Sequence, residues 1–171
     1  KFVFDKIGFF DEQLARNQDD DFNFRLIKAG GKIWFENEIV LDYYVRSNYK
    51  GLFRQFYQYG YWKVFVNKKH KTFTTFRQLV PPIFVLYLVS FLFIALIPSY
   101  FKVIYLSGII LYGFLIAFVS IKKANGLASI FQYMLTFKIL HLSYGLGYLH
   151  GIVNFILLNR KPSLIQMKLT R

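Results

Sequence analysis

Residues 81–98 read PPIFVLYLVSFLFIALIP, and residues 103–121 read VIYLSGIILYGFLIAFVSI. Neither stretch contains a charged residue, and each is close to the roughly 20 apolar residues that a helix needs to cross a bilayer. Only four residues, 99–102, separate the two stretches. We therefore predict two membrane-spanning helices joined by a tight turn. The composition agrees, because 55% hydrophobic and 21% aromatic residues exceed the content of ordinary soluble domains.

A third apolar stretch, residues 139–158, is long enough to span but contains His141, His150, Asn154 and three glycines. A full crossing would place the basic tail, residues 159–171, opposite the other basic residues, against the tendency of such residues to stay on one side. A re-entrant or tilted segment would avoid that conflict. We favour a third span, because earlier segments usually dominate topology. The predicted membrane region is therefore 79–158, with two to three helices.

The charges are distributed unevenly along the chain. All nine acidic residues lie in the first 42 positions, whereas sixteen of the 22 Lys and Arg residues follow that point. Such a field favours anionic partners, and the adjacent apolar spans favour anionic membrane lipids over nucleic acid. The chain has no Cys, which excludes disulfides and Cys-ligated zinc or iron–sulfur sites.

Residues 1–78 mix polar with aromatic side chains. Within them, residues 20–29 have the pattern of a helix, and residues 32–35 and 39–45 have the pattern of strands. The expected fold class is therefore the end of an α/β domain, followed by an α-helical membrane region. Residues 51–69 predict an aromatic and basic helix suited to the headgroup layer. Because the chain begins at Lys1 without signal-peptide features, we interpret it as the later part of a longer protein.

Three adjacent carboxylates, Asp19, Asp20 and Asp21, open the predicted helix of the first region. Capping of free N–H groups and the helix dipole explain one or two carboxylates at such a position. A third adds like-charge repulsion, so it requires a cation, a basic neighbour such as Arg25, or a catalytic role. Asp19-x-Asp21 also matches a metal-holding pattern. No metal site is assigned, because such motifs follow an apolar strand and these residues follow the polar segment 15–18.

Several motifs in order resemble the C-terminal half of membrane-bound family 2 glycosyltransferases, of the succinoglycan or exopolysaccharide-biosynthesis type. They are GFFDEQLARNQDDDFNFRLIKAGGKIWF (8–35), YYVRS (43–47) and RQFYQYGYWK (54–63), followed by the apolar spans. In that family a Glu-Asp pair at a helix start precedes an Arg by six residues, counted from the Asp. Counting back from Arg25 reaches Asp19, with Gln18 in the Glu position. The resemblance implies a GT-A-like fold and Asp19 as catalytic base. Asp20, one position on, is the second candidate, and we expect Asp21 to cap the helix.

Residues 58–62, QYGYW, resemble the Gln-x-x-Arg-Trp motif of the same family. The resemblance implies that Gln58 and Trp62, which share a helix face, line the acceptor end of the site. Tyr61 stands where the family has Arg, which weakens the case for a diphosphate clamp. Arg46 is a candidate for the missing positive charge, as is Lys63. The alternative is an interfacial aromatic helix with no substrate contact.

The activity that the resemblance implies is inverting transfer of a sugar from a nucleotide-sugar donor to a lipid-linked or polysaccharide acceptor. It implies a multi-pass protein of the inner membrane with a cytoplasmic catalytic domain. A divalent cation, Mg or Mn, is expected in the full-length enzyme, with its ligands outside this chain. The alternative function is a non-catalytic membrane anchor or partner-binding module with a basic interfacial helix.

Overall fold

The computed structural model describes residues 2–73, 75–96 and 99–162, and every regular element in them is helical. Short 3₁₀ segments, Phe76–Leu79 and Ser90–Leu96, flank the fourth α-helix, and a π-helical turn, Ile152–Leu157, continues the sixth. The α-helices of this part of the chain are α1 (Phe2–Ile7), α2 (Gln18–Lys28), α3 (Tyr49–His70), α4 (Val80–Val89), α5 (Ser99–Lys123) and α6 (Leu127–Gly151).

The predicted α/β fold class is wrong for the part of the chain that the structure describes, because that part contains no strand. Residues 32–35 and 39–45, the predicted strands, have no regular secondary structure and expose their side chains. Trp34 is 86% exposed and Tyr44 is 91% exposed. A strand is stable only when its N–H and C=O groups pair with a neighbouring strand, and neither segment has such a neighbour here.

Helix α3 packs along α6, and glycines allow the two backbones to approach closely. A Cβ atom added at Gly147 would overlap the Tyr57 carbonyl oxygen, and one added at Gly60 would overlap that of Tyr144. A Cβ at Gly151 would lie 2.7 Å from the Tyr61 carbonyl oxygen. Small residues that bring backbones together are typical of helix pairs in membrane proteins.

The buried core lies between α3, α6 and the segment before α2. Trp62 and Leu14 are each 1% exposed, and Phe155 is fully buried. The Trp62 and Phe155 rings are 6.0 Å apart, and Tyr61 lies 4.8 Å from Phe155. This core fixes α3 relative to α6 and therefore positions the polar residues along the rest of α3.

Two helical segments are long and apolar enough to cross a membrane, Phe76–Phe93 and Phe101–Lys123. They correspond to the predicted spans 81–98 and 103–121, although residues 97 and 98 lie outside the described residues. α6 contains most of the predicted third span, but it does not reach the same apolarity over the described range. Most of the predicted basic tail, residues 163–171, also lies outside the described part of the chain.

Candidate functional site

The three adjacent carboxylates at the start of α2 have three different environments. Asp21 is fully buried, and its oxygens lie 3.0 Å from Arg25 Nε, 2.7 Å from Lys69 Nζ and 2.8 Å from His70 Nε2. Lys69 also contacts Asp11 at 2.7 Å. The predicted capping role of Asp21 is therefore replaced by an ionic one, because its carboxylate joins α2 to the C-terminal turn of α3.

The basic partners of Asp21 together affect its pKa more than its burial does. Burial alone would raise its pKa, but hydrogen bonds from Lys69, His70 and Arg25 lower that pKa below its ordinary value. Burial would lower the pKa of Lys69, and its contacts with Asp11 and Asp21 raise it instead. Both groups are therefore held in their charged forms around neutral pH, and the cluster acts as a structural link between the two helices.

Asp20 and Asp19 lie on the other side of the α2 N-terminus. Asp20 contacts Lys63 Nζ of α3 at 2.7 Å. Asp19 is exposed, and no described side chain forms an ion pair or a hydrogen bond with it. Of the three carboxylates, Asp19 is therefore the most exposed one and the one without an ion-pair partner among the described residues.

A cleft of about 390 Å³ opens beside Asp19. On one side, Asn17 takes a left-handed conformation with φ of 61°, and its side-chain amide donates to the Tyr59 carbonyl oxygen at 3.1 Å. Asn adopts this left-handed conformation more readily than most residues do, and the hydrogen bond fixes the start of α2 against α3. The cleft residues are Arg16, Asn17, Gln18, Asp19, Asp20, Tyr59, Lys63 and Tyr144.

The remaining predicted site residues lie in two separate places. Gln58 is 8% exposed, accepts a hydrogen bond from Arg16 Nε at 3.3 Å, and lines a second cleft together with Arg46. Trp62 and Tyr61 belong to the core instead. The Tyr61 hydroxyl accepts a hydrogen bond from the Asn154 amide at 3.0 Å. Contact of Trp62 or Tyr61 with a substrate stays a prediction, and their observed contacts are those of packing residues.

Sequence reasoning missed the basic residues of α3 that pair with the acidic triplet at the start of α2. Lys69 and His70 are 48 and 49 positions from Asp21 in the chain, so no local motif connects them. His70 also stacks on Phe24 of α2, with ring centroids 4.8 Å apart. The available signal was charge balance: three adjacent acids favour nearby cations, and α3 ends in three basic residues.

No group of three or more His, Cys, Asp or Glu side chains in residues 2–73, 75–96 and 99–162 is arranged to hold a metal ion. Asp21 is the most buried of the three carboxylates, but it already contacts three basic side chains. The divalent cation that the resemblance implies stays a prediction, since its ligands are expected outside this chain.

Two curated proteins are similar to parts of the chain. One is succinoglycan biosynthesis protein ExoA of Rhizobium meliloti, 33% identical over 79 residues, which cover 46% of this chain and 24% of that protein. The other is a dolichyl N-acetyl-α-D-glucosaminyl phosphate 3-β-D-2,3-diacetamido-2,3-dideoxy-β-D-glucuronosyltransferase of Methanococcus voltae. It is 41% identical over 51 residues, covering 30% of this chain and 16% of that protein.

The similarity is therefore local, and the chain matches a quarter or less of the length of these relatives. No protein-family model matches the chain. No solved structure matches it either. The names of the relatives indicate glycan biosynthesis and sugar transfer at a coarse level.

Proposed function

We propose that the chain is part of an inverting glycosyltransferase that moves a sugar from a nucleotide-sugar donor to a lipid-linked or polysaccharide acceptor at the membrane. The observation that carries this proposal is the exposed carboxylate of Asp19, which lies in a cleft at a helix N-terminus, in a chain that also contains two long apolar helical segments. The similarity to a named sugar transferase supports the choice of reaction.

The proposed role of Asp19 is that of general base. The acceptor hydroxyl oxygen attacks the anomeric carbon, the bond from that carbon to the diphosphate breaks, and the hydroxyl proton passes to the Asp19 carboxylate. Attack on the face opposite the leaving group inverts the anomeric configuration. The position suits the task, because the dipole and free N–H groups at the start of α2 stabilise the ionised carboxylate.

Asp20 is less suited to the same role. Its carboxylate already contacts Lys63 at 2.7 Å, so proton transfer to Asp20 would weaken that ion pair. Lys63 is 9% exposed, and an unpaired ammonium at such a site is costly. We therefore assign Asp20 to holding Lys63 and the cleft wall, and Asp19 to the reaction.

A lipid-linked acceptor is preferred over a free polysaccharide. The relative from Methanococcus voltae carries a dolichyl phosphate in its name, and the apolar segments Phe76–Phe93 and Phe101–Lys123 would bring the cleft to a membrane surface. We propose the inner membrane, with the polar region on the cytoplasmic side where nucleotide sugars are made. The proposal includes a divalent cation for the donor diphosphate, with ligands from outside the described residues.

The test is an assay of sugar transfer in membranes that contain the protein as its gene encodes it. Labelled nucleotide sugars are supplied one at a time, and label is measured in the lipid-extractable and polysaccharide fractions. We expect transfer from at least one donor with the wild-type protein and a loss of roughly 100-fold or more with Asp19→Asn. Absence of transfer from every donor, with correctly inserted protein, would contradict the proposed function.

A further inference from the structure

A second cleft lies beside the first, between the segment before α3 and the first three turns of that helix. Its volume is about 410 Å³, and three arginines line it: Arg16, Arg46 and Arg54. Its other polar side chains include Ser47, Gln55 and Gln58, and none of its lining residues is acidic. A concave surface with three guanidinium groups and no carboxylate is built for an anion.

Two of these arginines have no ion-pair or hydrogen-bond partner among the residues that the structure describes. Arg46 and Arg54 are both exposed, and no described acid lies within ion-pairing distance of either. A Cβ added at Gly51 would lie 3.6 Å from Arg46 Cβ and 3.8 Å from Cδ, so the apolar stem of Arg46 lies close to the first turn of α3. Its exposed guanidinium has no described partner and can bind a ligand.

A phosphate group suits this arrangement. An arginine donates two parallel hydrogen bonds to a phosphate, and two or three arginines around one cleft match the several oxygens of a diphosphate or of a phosphate monoester. The first turn of α3 adds a favourable dipole at the same place. Tyr61, by contrast, has no cationic group and is 5% exposed, so it does not replace the arginine of the family motif as a cationic ligand for phosphate.

We propose that Arg46 and Arg54 form a phosphate-binding site, which rests on the proposed function for its reaction and holds the phosphate of one substrate beside Asp19. Arg16 connects the two clefts, since it lines both of them and donates to Gln58 at 3.3 Å. The basic cleft would bind the phosphate-bearing end of the substrate, and the Asp19 cleft would bind the hydroxyl that loses its proton.

The experiment measures equilibrium binding of radiolabelled inorganic pyrophosphate to the protein in phosphatidylcholine nanodiscs, where no sugar transfer is needed. We expect the double substitution Arg46→Gln and Arg54→Gln to weaken binding by roughly tenfold or more, because charge-assisted contacts are lost. Lys50→Gln is the matched control, since Lys50 is an exposed cation on the same turn of α3 outside the cleft. It should change binding by less than about twofold.

Competition then identifies the source of the phosphate. Stronger displacement by uridine diphosphate than by undecaprenyl phosphate assigns the site to the donor, and the reverse order assigns it to the acceptor lipid. Either order supports the site. Equal pyrophosphate binding by wild type and the double variant overturns it, as does wild-type binding to phosphatidylglycerol vesicles without any binding of pyrophosphate.

Two further measurements separate this inference from its alternatives. Thermal unfolding checks that the double variant folds, and Arg54→Lys, which keeps the charge, should retain part of the affinity. Asp19→Asn should bind pyrophosphate at least as tightly as the wild type, because it removes a nearby negative charge. If Asp19→Asn keeps full sugar transfer while the arginine variants lose pyrophosphate binding, the assignment of the base is wrong and the phosphate site is supported.

Discussion

Helices α3 and α5 show opposite relations between composition and burial. α5 is strongly apolar, yet Ile110 is 71% exposed and Leu111 is 57% exposed. α3 carries many polar residues, yet Lys63 is 9% exposed and Asn67 is 7% exposed. The more polar helix is therefore the one inside the protein, and the more apolar one is on its surface.

The difference shows that the hydrophobicity of a helix does not indicate how deeply it is buried in the protein. It indicates instead whether the exposed surface of the helix suits lipid or water. Apolar side chains on α5 suit lipid tails, so they require no protein partner. Polar side chains that lie between helices must form hydrogen bonds with each other. Asn67 does so with Gln78 at 3.1 Å and with the Tyr148 hydroxyl at 3.2 Å.

The comparison predicts that Gly→Ala is costly where α6 packs against α3 and is tolerated on the exposed surface of α5. Gly147→Ala would push a Cβ into the backbone of α3 at Tyr57, and we expect a loss of about 3 kcal/mol of folding free energy. Gly113→Ala on α5 is the matched control, because no heavy atom lies within 4 Å of the added Cβ. It should leave stability unchanged or raise it by up to about 1 kcal/mol. Thermal unfolding in nanodiscs measures both, and equal losses would contradict the close approach of α3 and α6.

A smaller effect is expected at the ionic link between α2 and α3. Asp21→Asn removes a fully buried carboxylate and leaves Arg25, Lys69 and His70 without it. We expect a loss of about 2 kcal/mol, which is below the cost for a fully buried pair because the Lys69 side chain is 32% exposed. Asp20→Asn should cost less, about 1 kcal/mol, because its carboxylate is 35% exposed, although the change leaves the nearly buried Lys63 without its ion pair.

The same link predicts a pH dependence of stability. The pKa of Asp21 is lowered by folding, so its contribution is present above its unfolded value of 3.8 and is lost as pH falls through the folded value. The pKa of Lys69 is raised, so its contribution is present below its unfolded value of 10.5 and is lost as pH rises through the folded value. Unfolding followed against pH should therefore show a weaker acid dependence in Asp21→Asn, and identical profiles would exclude this role.

The smallest stability effect concerns the hydroxyl of Tyr61. Tyr61→Phe removes the acceptor of the Asn154 hydrogen bond, which should cost about 1 kcal/mol. Tyr44→Phe is the control, since Tyr44 is 91% exposed and should show no change. A packing role also predicts that Tyr61→Phe leaves the KM of sugar transfer unchanged. An altered KM with normal stability would instead support the substrate contact that the sequence motif implies.

The sequence was informative where local pattern decides structure. The predicted helix 20–29 corresponds to α2, whose end is followed by Gly30 with φ of 80°, the left-handed conformation expected of a terminating glycine. The charge-free runs identified both candidate spans, because lipid imposes a simple rule on composition. The predicted strands 32–35 and 39–45 are wrong, because a local sequence pattern does not show whether a neighbouring strand is available for pairing.

The sequence predicted only part of the candidate site. Spacing to Arg25 selected Asp19 among three identical side chains, and the structure separates the same three by their partners. The basic partners of Asp20 and Asp21 come from α3, more than 40 positions along the chain, and depend on how α3 packs. Arg54 was missed as a site residue because only the folded cleft places it near Arg16 and Arg46.

The most direct test of the central claim is the rate of sugar transfer by Asp19→Asn relative to Asp20→Asn, in membranes with equal amounts of folded protein. Because Asp19 is the accessible carboxylate and Asp20 is paired with Lys63, we predict that Asp19→Asn lowers kcat by roughly 100-fold or more and that Asp20→Asn has a much smaller effect. Near-normal turnover by Asp19→Asn would contradict the assignment of the base.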